Sequence, residues 1–339
     1  MIFGYNTNGF ANHRLTDALC VLAEMGYQSV AITLDHDFLD PFAIDLPKRI
    51  AKIKGFLHRF KMRCVVETGA RFLLDPLLKH QPTLVSPKAE QRQQRLDFLC
   101  HAVAVARELE ADAVSFWSGT PVDEASPRML MQRLTDGVQR LLDHAGDFQV
   151  RLAFEPEPGM FIDTMPKFED LRQRVNHPLF GLTIDVGHLH CMGETPIADH
   201  LRNHKDVLWN IHIEDMKKGV HDHLMFGAGE IDFPPVLAAL EEIGYAGGIH
   251  VELSRHSHDA VETARQALEF LCKAAFAGRP RVTPAKKSSP GARPAGKSSQ
   301  GVSVPRKSSQ GVSVPRKSSQ GVSVPRKSSQ GVKVKKDEE

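Results

Sequence analysis

Eight short apolar segments alternate with eight amphipathic segments over residues 1–278 of this 339-residue chain, and few folds accept that pattern. Several of the apolar segments stay apolar until their last residue, as parallel strands do when both faces of a sheet are covered. Strands that alternate regularly with helices predict a parallel sheet whose connections are helical. Because eight such units fill about the 250 residues that a (β/α)8 barrel needs, the predicted fold class is an α/β TIM barrel.

The boundaries of these segments follow from where each apolar run begins and ends. The predicted strands are Ile2–Tyr5, Ser29–Leu34, Arg63–Glu67, Ala113–Trp117, Arg151–Glu155, Gly181–Asp185, Leu208–Ile213 and Gly248–Leu253. The predicted helices are Leu15–Met25, Leu46–Phe60, Ala89–Leu109, Pro127–His144, Pro166–Val175, Ile197–Asn203, Phe233–Ile243 and His258–Ala275. A doubly wound open sheet is the structural alternative, and it is disfavoured because no GxGxxG turn follows any of the strands.

Four of the predicted strands carry a metal-binding type of side chain at or near their carboxyl end. Glu155 follows RLAF, Asp185 ends GLTID, His212 lies in LWNIHI and Glu252 follows GIHV. The carboxyl ends of the strands meet at one face of a barrel, so we expect these side chains to share a centre. Three carboxylates and one imidazole suit Mn²⁺, Mg²⁺ or Co²⁺, with Zn²⁺ as an alternative. Any one of them alone is more often a salt-bridge or capping residue, but four on consecutive strands predict a metalloenzyme.

Further polar residues flank these four. Glu157 has the same strand parity as the glutamate two residues before it, so its side chain is expected to face the same pocket. His188 follows the aspartate of strand six on a glycine-containing turn, where we expect it to reach a bound ligand. His221 and His223 lie near two glycines and can bind a second metal ion or shape a lid. The alternative for this histidine pair is a solvated loop.

Four basic residues near strand ends are candidates for contacts with an anionic group. Lys217 and Lys218 follow strand seven and can receive a phosphate, although a lysine pair on a loop is usually just hydrated. Arg71 and Arg255, each shortly after a strand, are weaker candidates for the same role. Arg255 and His223 are both assigned to substrate binding.

The composition changes abruptly after Gly278. The unit KSSQGVSVPR occurs three times and a variant once over residues 297–336. Residues 279–339 hold 15 of the 43 basic residues and 3 of the 41 acidic ones, a net charge of +12 that leaves −10 on residues 1–278. Because Val is the only apolar residue type in the repeat, this segment is predicted to be a disordered tail outside the barrel domain. It is either a solubilising tail or a tether to RNA, anionic lipid or an acidic protein.

The cysteines and the apolar segments bear on the cellular compartment. The five cysteines are odd in number, form no CxxC pair and lie mostly in apolar stretches, which predicts buried free thiols in a reducing compartment. The N-terminal MIFGYNTNGF lacks a basic region followed by a long apolar run, so no secretory signal is expected. No apolar stretch reaches membrane-spanning length. These features together predict a cytoplasmic protein.

Five strings in the barrel region resemble the xylose-isomerase-like TIM-barrel superfamily. They are FEPEPG (154–159), TIDVGH (183–188), HIEDM (212–216), HLMFGAGEIDF (223–233) and HVEL (250–253). The superfamily includes sugar epimerases of the tagatose 3-epimerase type, hydroxypyruvate isomerase, inosose dehydratase and endonuclease IV. The resemblance covers residues 1–276 and omits the tail. It implies a (β/α)8 barrel, while its motifs say little about the substrate.

Resemblance to the epimerases implies roles for individual residues. The four strand-end residues would bind the metal ion, and His188 and Glu157 would contact substrate oxygens. The ion would chelate the carbonyl and adjacent hydroxyl oxygens of a ketose or polyol and stabilise the enediolate formed when a proton leaves. Glu155 and Glu252 would remove and return that proton, which gives isomerisation or epimerisation of a sugar or sugar phosphate. A homodimer is common in this superfamily.

Three other functions stay open. One is an inosose-type dehydratase, and another is a barrel that binds a metabolite without turnover, which the carboxylate pair argues against. The distant alternative is a phosphodiesterase like endonuclease IV, whose third-metal positions correspond to His221 and His223. Glu67 and Trp117 stand where two more histidines would complete its three-zinc cluster, and a charge of −10 on residues 1–278 opposes binding to DNA.

Overall fold

The computed structural model describes residues 1–277, in which eight parallel strands close into a barrel. The barrel strands are β1 (Ile2–Asn6), β2 (Ser29–Thr33), β3 (Arg63–Glu67), β4 (Val114–Phe116), β5 (Leu152–Phe154), β6 (Phe180–Asp185), β7 (Leu208–Ile213) and β10 (Gly248–Val251). They follow the order β1-β10-β7-β6-β5-β4-β3-β2 around the barrel. The predicted (β/α)8 fold is therefore confirmed. The tail predicted at 279–339 lies outside the described residues.

Helices connect successive strands and cover the outside of the barrel. They are α1 (Leu15–Met25), α2 (Leu46–Phe60), α3 (Ala89–Leu109), α4 (Pro127–Phe148), α5 (Met165–Val175), α6 (Val186–Cys191), α7 (Ile197–Asn203), α8 (Phe233–Glu242) and α9 (Ala260–Ala277). Local chemistry sets several of their ends. The Met129 amide donates to the Ser126 hydroxyl at 3.3 Å, and Pro127 takes the first position of α4. Helix α1 ends at Gly26, whose φ of 102° favours glycine.

Four local features differ from the sequence prediction, and all follow the carboxyl ends of barrel strands; one is a 3-10 helix, Thr7–Phe10, directly after β1. The turn expected after β6 is the short helix α6, which begins where the Asp185 side chain accepts a hydrogen bond from the His188 amide. The loop expected after β7 contains an antiparallel hairpin of β8 (Asp215–Lys217) and β9 (Val220–Leu224). A 3-10 helix, Ser254–Asp259, precedes α9.

The core lies between the strands and the surrounding helices, with a second, polar layer inside the barrel. Phe116, Phe154 and Phe180 from neighbouring strands pack with Phe168 of α5, at ring-centroid separations of 5.2 to 6.5 Å. Inside the barrel, apolar side chains give way to buried polar ones. These are Ser29, Glu67, Ser115, Thr183, Asn210, His212 and His250. Because buried polar groups need partners, their hydrogen bonds fix the interior of the barrel.

The five cysteines are free, as expected from their spacing. Cys64 and Cys191 are buried, but Cys272 on α9 is exposed, so the expectation of buried thiols is wrong for that residue. Within residues 1–277, no helix combines the length and the apolar character needed to cross a bilayer.

Candidate metal and substrate site

The four strand-end residues meet at the carboxyl face of the barrel. An oxygen of Glu155 and an oxygen of Glu252 each lie 3.0 Å from His212 Nδ1. With Asp185 they form a group in which one potential ligand atom of each residue lies within 4.8 Å of the others. Carboxylates this close repel one another unless a cation or proton lies between them. The structure thus brings together all four residues that the sequence pattern selected.

The donor set fits a divalent cation. Asp185 is 2% exposed, and its Oδ1 accepts the His188 amide at 2.8 Å. Its other oxygen, Oδ2, is buried and accepts no hydrogen bond from any described residue. A buried carboxylate oxygen is costly without a partner, and a bound ion would provide one. Oxygen-rich coordination with one imidazole suits Mn²⁺, Mg²⁺ or Co²⁺, and Zn²⁺ accepts the same donors.

A chain of hydrogen bonds along the barrel interior orients His212. Its Nε2 lies 2.9 Å from Glu67 Oε1, which also accepts a hydrogen bond from the Asn210 side-chain amide at 3.1 Å. The Asn210 oxygen in turn lies 2.8 Å from His250 Nδ1, and His250 Nε2 lies 2.8 Å from the Ser29 hydroxyl. Since a carboxylate only accepts, Glu67 draws the Nε2 proton and leaves Nδ1 facing the carboxylates. Partners behind a histidine commonly fix its tautomer for metal binding.

The pKa values of three cluster residues are shifted from their usual range, by burial and by the charges of their neighbours. Burial raises the pKa of Glu155 to about 8, although the His212 charge opposes that rise. Burial also opposes ionisation of Glu252, but the charge and hydrogen bond of His212 prevail and hold the Glu252 pKa below its usual range. Burial would lower the pKa of His212, yet the charges of Glu155, Glu67 and Glu252 raise it well above its usual range. The two carboxylates therefore sit in unlike environments.

A cavity of about 360 Å³ opens above the cluster. Its walls include Glu155, His212 and Glu252 from the cluster, together with the predicted substrate-binding residues Glu157, His223 and Arg255. Small-molecule sites in proteins start at about this volume. The cavity thus combines the candidate metal ligands with room for one small polar molecule.

His188 lies deeper than expected. It is 4% exposed, and its Nδ1 is 3.7 Å from Glu155 Oε1 and 3.3 Å from the Pro156 carbonyl oxygen. Its Nε2 is 3.1 Å from His221 Nε2, so His221 lies between it and the open part of the cavity. Burial, followed by the charges of nearby histidines, lowers the pKa of His188 to about 3 despite the opposing Asp185 charge.

The two histidines of the hairpin also face the centre. His221, His223 and His188 form a group whose potential ligand atoms lie within 4.8 Å of one another. The Nδ1 of His223 donates to the Glu252 carbonyl oxygen at 3.2 Å, which leaves its Nε2 for another partner. The structure therefore contradicts the solvated-loop alternative for this pair. A lid residue and a ligand of a second ion both remain compatible with the geometry.

The loop after the hairpin is anchored by a residue that the sequence analysis did not select. Asp215 is 1% exposed and accepts hydrogen bonds from four backbone amides. Its Oδ2 accepts from Gly227 at 2.8 Å and from Gly229 at 2.9 Å. Its Oδ1 accepts from Met216 at 2.9 Å and from Ile231 at 3.1 Å. This carboxylate thus ties the hairpin and the GAGEI segment to the end of β7.

Two further residues of the site, Asn8 and Glu67, were not predicted as site residues from the sequence. Asn8 lies after β1 and its side-chain amide donates to Glu252 Oε1 at 2.7 Å, yet nothing near it in the sequence indicates this. Glu67 ends an apolar strand just as Glu155 follows one, so the same pattern identifies it. The lysines Lys217 and Lys218 are exposed and are absent from the cavity walls.

Eight parallel strands with a carboxylate–histidine cluster at their carboxyl ends define a (β/α)8 barrel with a candidate metal centre. The chain belongs to the xylose isomerase-like TIM barrel family, whose sequence model matches residues 20–274. A curated relative, the L-ribulose-5-phosphate 3-epimerase UlaE of Shigella flexneri serotype 5b, is 24% identical over 246 residues, which cover 71% of this chain and 86% of that protein.

Solved structures resemble the barrel as well. The D-allulose 3-epimerase of Methylomonas sp. in complex with D-allulose superposes with a TM-score of 0.64 and 22% identity, over 81% of this chain and 97% of that one. The IOLI protein, crystallised with a zinc atom, gives a TM-score of 0.66 and 17% identity, over 82% and 99% of the two chains. At these identities the structural likeness establishes the fold.

Proposed function

We propose that this protein is a divalent-metal-dependent sugar or sugar-phosphate epimerase or isomerase, which moves a proton at the carbon beside a carbonyl group. The observation that carries the proposal is the facing pair Glu155 and Glu252, each with an oxygen 3.0 Å from His212 Nδ1. The two carboxylates follow strands β5 and β10, which are three positions apart around the barrel, and such a pair suits removal of a proton from one face of a carbon and its return to the other. The sugar epimerases among its relatives support the same reaction class.

Each residue of the cluster then has a role. Glu155, Asp185, His212 and Glu252 would hold the ion, which when bound supplies Lewis acidity toward the carbonyl and hydroxyl oxygens of the sugar. Glu252 accepts a hydrogen bond from Asn8 at 2.7 Å, which orients the carboxylate for proton transfer. Glu157 lines the cavity wall and contacts substrate hydroxyls. His188 lies behind His221 and close to Glu155, and it would position these two side chains.

Hydrogen–deuterium exchange in D₂O tests the proposal. Full-length protein supplied with Mn²⁺ is incubated with ketoses, ketose phosphates and inososes, and NMR follows deuterium at the carbon beside the carbonyl. We expect exchange into at least one sugar. Removal of either carboxylate, in Glu155→Gln or Glu252→Gln, is expected to slow that exchange by about 100-fold or more. Glu124, exposed and outside the cavity, provides the matched control Glu124→Gln, which should exchange at the wild-type rate.

Each outcome has a distinct meaning. Near-wild-type exchange in either cluster variant contradicts the two-carboxylate mechanism. Loss of water from an inosose would identify a dehydratase built on the same proton abstraction. Tight metal binding without exchange in the whole panel would leave a binding role.

The proposed location of this enzyme is the cytoplasm. The free thiols and the lack of a membrane-spanning helix in residues 1–277 are compatible with that location.

A further inference from the structure

One wall of the cavity differs in charge from the acidic cluster at its floor. Arg71, Lys79 and His80 line this wall, and all three belong to the loop that connects β3 to α3. The His80 amide donates to the Arg71 carbonyl oxygen at 2.6 Å, so the two ends of the segment 71–80 are held side by side. This hydrogen bond brings the two cationic residues together although eight positions separate them.

A buried arginine supports this wall from behind. Arg95 is 1% exposed, and its guanidinium lies 4.3 Å from the Trp117 ring centroid while donating to the Thr68 carbonyl oxygen at 2.8 Å. His80 also packs against Trp117, with 5.3 Å between the two ring centroids. Burial, and then the charges of Lys79, Arg95 and Arg71, lower the pKa of His80 to about 4. The wall therefore carries the charges of Arg71 and Lys79, and His80 adds a neutral imidazole.

Only some of the cavity's cations are already neutralised. Arg255 lies 2.6 Å from Asp222 Oδ1 and is therefore paired. Among residues 1–277, no carboxylate lies within 4.0 Å of the charged groups of Arg71 or Lys79. Two unpaired cations beside the cavity are unexpected, because residues 1–278 carry a net charge of −10. Like charges held together without counter-ions indicate a site for an anion.

We propose that Arg71 and Lys79 bind the phosphate group of a phosphorylated ketose, with His80 as a further hydrogen-bonding partner. This inference rests on the proposed function and specifies its substrate class. A phosphate monoester carries about −1.5 to −2 charges at neutral pH, which two cations balance. The guanidinium of Arg71 suits two phosphate oxygens at once, and Lys79 supplies a point charge. Because the cationic wall and the carboxylate cluster bound the same cavity of about 360 Å³, one small sugar phosphate can contact both.

Calorimetric binding tests this proposal without turnover. Full-length protein with Mn²⁺ is titrated with a pentitol phosphate and with the matching free pentitol, neither of which has a carbonyl group. We expect the phosphorylated ligand to bind at least about tenfold more tightly, with an advantage that shrinks at high salt. Arg71→Gln and Lys79→Met should each weaken binding of the phosphorylated ligand by about tenfold and leave the free pentitol unaffected.

Matched controls come from exposed cations outside the cavity. Arg128→Gln and Lys88→Met remove the same charges from the start of α4 and from the residue before α3, and should bind both ligands as the wild type does. Equal affinity of the wild type for the two pentitols, or no binding of either, overturns the phosphate assignment. So does a cavity variant that weakens both ligands equally.

The same variants separate this inference from the proposed function. Arg71→Gln and Lys79→Met should retain deuterium exchange into a free ketose that the wild type accepts. If the wild type exchanges free ketoses but shows no preference for the phosphorylated pentitol, the epimerase proposal stands and the phosphate site is wrong. If no sugar exchanges while the pentitol preference and its loss in both variants are observed, the phosphate site stands and the reaction is wrong.

Discussion

Replacing Asp215 by asparagine removes one acceptor oxygen from a carboxylate that serves four backbone amides. With the new amide group at the Oδ2 position, the amides of Gly227 and Gly229 lose their acceptor. With the side chain flipped, the amides of Met216 and Ile231 lose theirs. Either rotamer leaves two donors facing an NH₂ group. An unsatisfied amide costs about 1–3 kcal/mol, and the lower end applies here because Gly227 is exposed and Gly229 and Ile231 are half-buried, so Asp215→Asn should cost about 2 kcal/mol.

That cost converts into a measurable fall in melting temperature. Unfolding entropy of about 2.1 cal/mol/K per residue gives roughly 0.6 kcal/mol/K for a barrel of this length. We therefore expect the Tm of Asp215→Asn to lie about 3 °C below that of the wild type, measured by circular dichroism at one scan rate. Asp232→Asn is the control, since Asp232 is exposed in the same loop and its side chain makes no cap hydrogen bond. A Tm within 1 °C of the wild type for Asp215→Asn would refute this account of the loop.

The remaining predictions concern the ion and the tail. Adding Mn²⁺ at about 100 times its Kd to metal-stripped protein should stabilise it by about 2.7 kcal/mol, which differential scanning calorimetry detects as a rise in Tm. Asp185→Asn should lose most of this rise and the exposed control Asp206→Asn should keep it, and an undiminished rise in Asp185→Asn contradicts the ligand assignment. Truncation after Gly278 should preserve deuterium exchange and weaken retention on immobilised heparin. Loss of exchange would instead place the tail in the active site.

Much of the barrel can be predicted from the sequence because each strand and helix carries its own signal. All eight predicted strands occur, with ends that differ from the predicted ones by at most two residues, because short apolar runs between amphipathic segments favour buried parallel strands. The same regularity identifies Glu155 and Asp185. Glu67 ends an apolar strand in the same way, but the sequence prediction did not include it among the site residues. Helix α6 escaped prediction because Gly187 resembles a turn residue, whereas the capping carboxylate of Asp185 decides the local conformation.

Contacts between distant parts of the chain could not be predicted in this way. Asn8 meets Glu252 across 244 positions, and neither sequence neighbourhood indicates the other. The positive wall of the cavity is a similar case, because Arg71 and Lys79 line it together through a loop whose ends are joined by the backbone hydrogen bond between Arg71 and His80. Which of the basic residues is already paired also depends on three-dimensional neighbours, as the contact between Arg255 and Asp222 illustrates.

The polar chain inside the barrel has a consequence for engineering. It begins at Ser29, the first residue of β2, and ends at His212, so it spans the barrel from its amino-terminal floor to the candidate metal centre. The His250 ring leaves no space beside it, since a Cβ added at Gly4 would lie 2.3 Å from that ring. Larger apolar side chains at the floor of the barrel are a usual way to raise stability. Here they would break the hydrogen bonds that fix the tautomer of His212 at the opposite end of the barrel.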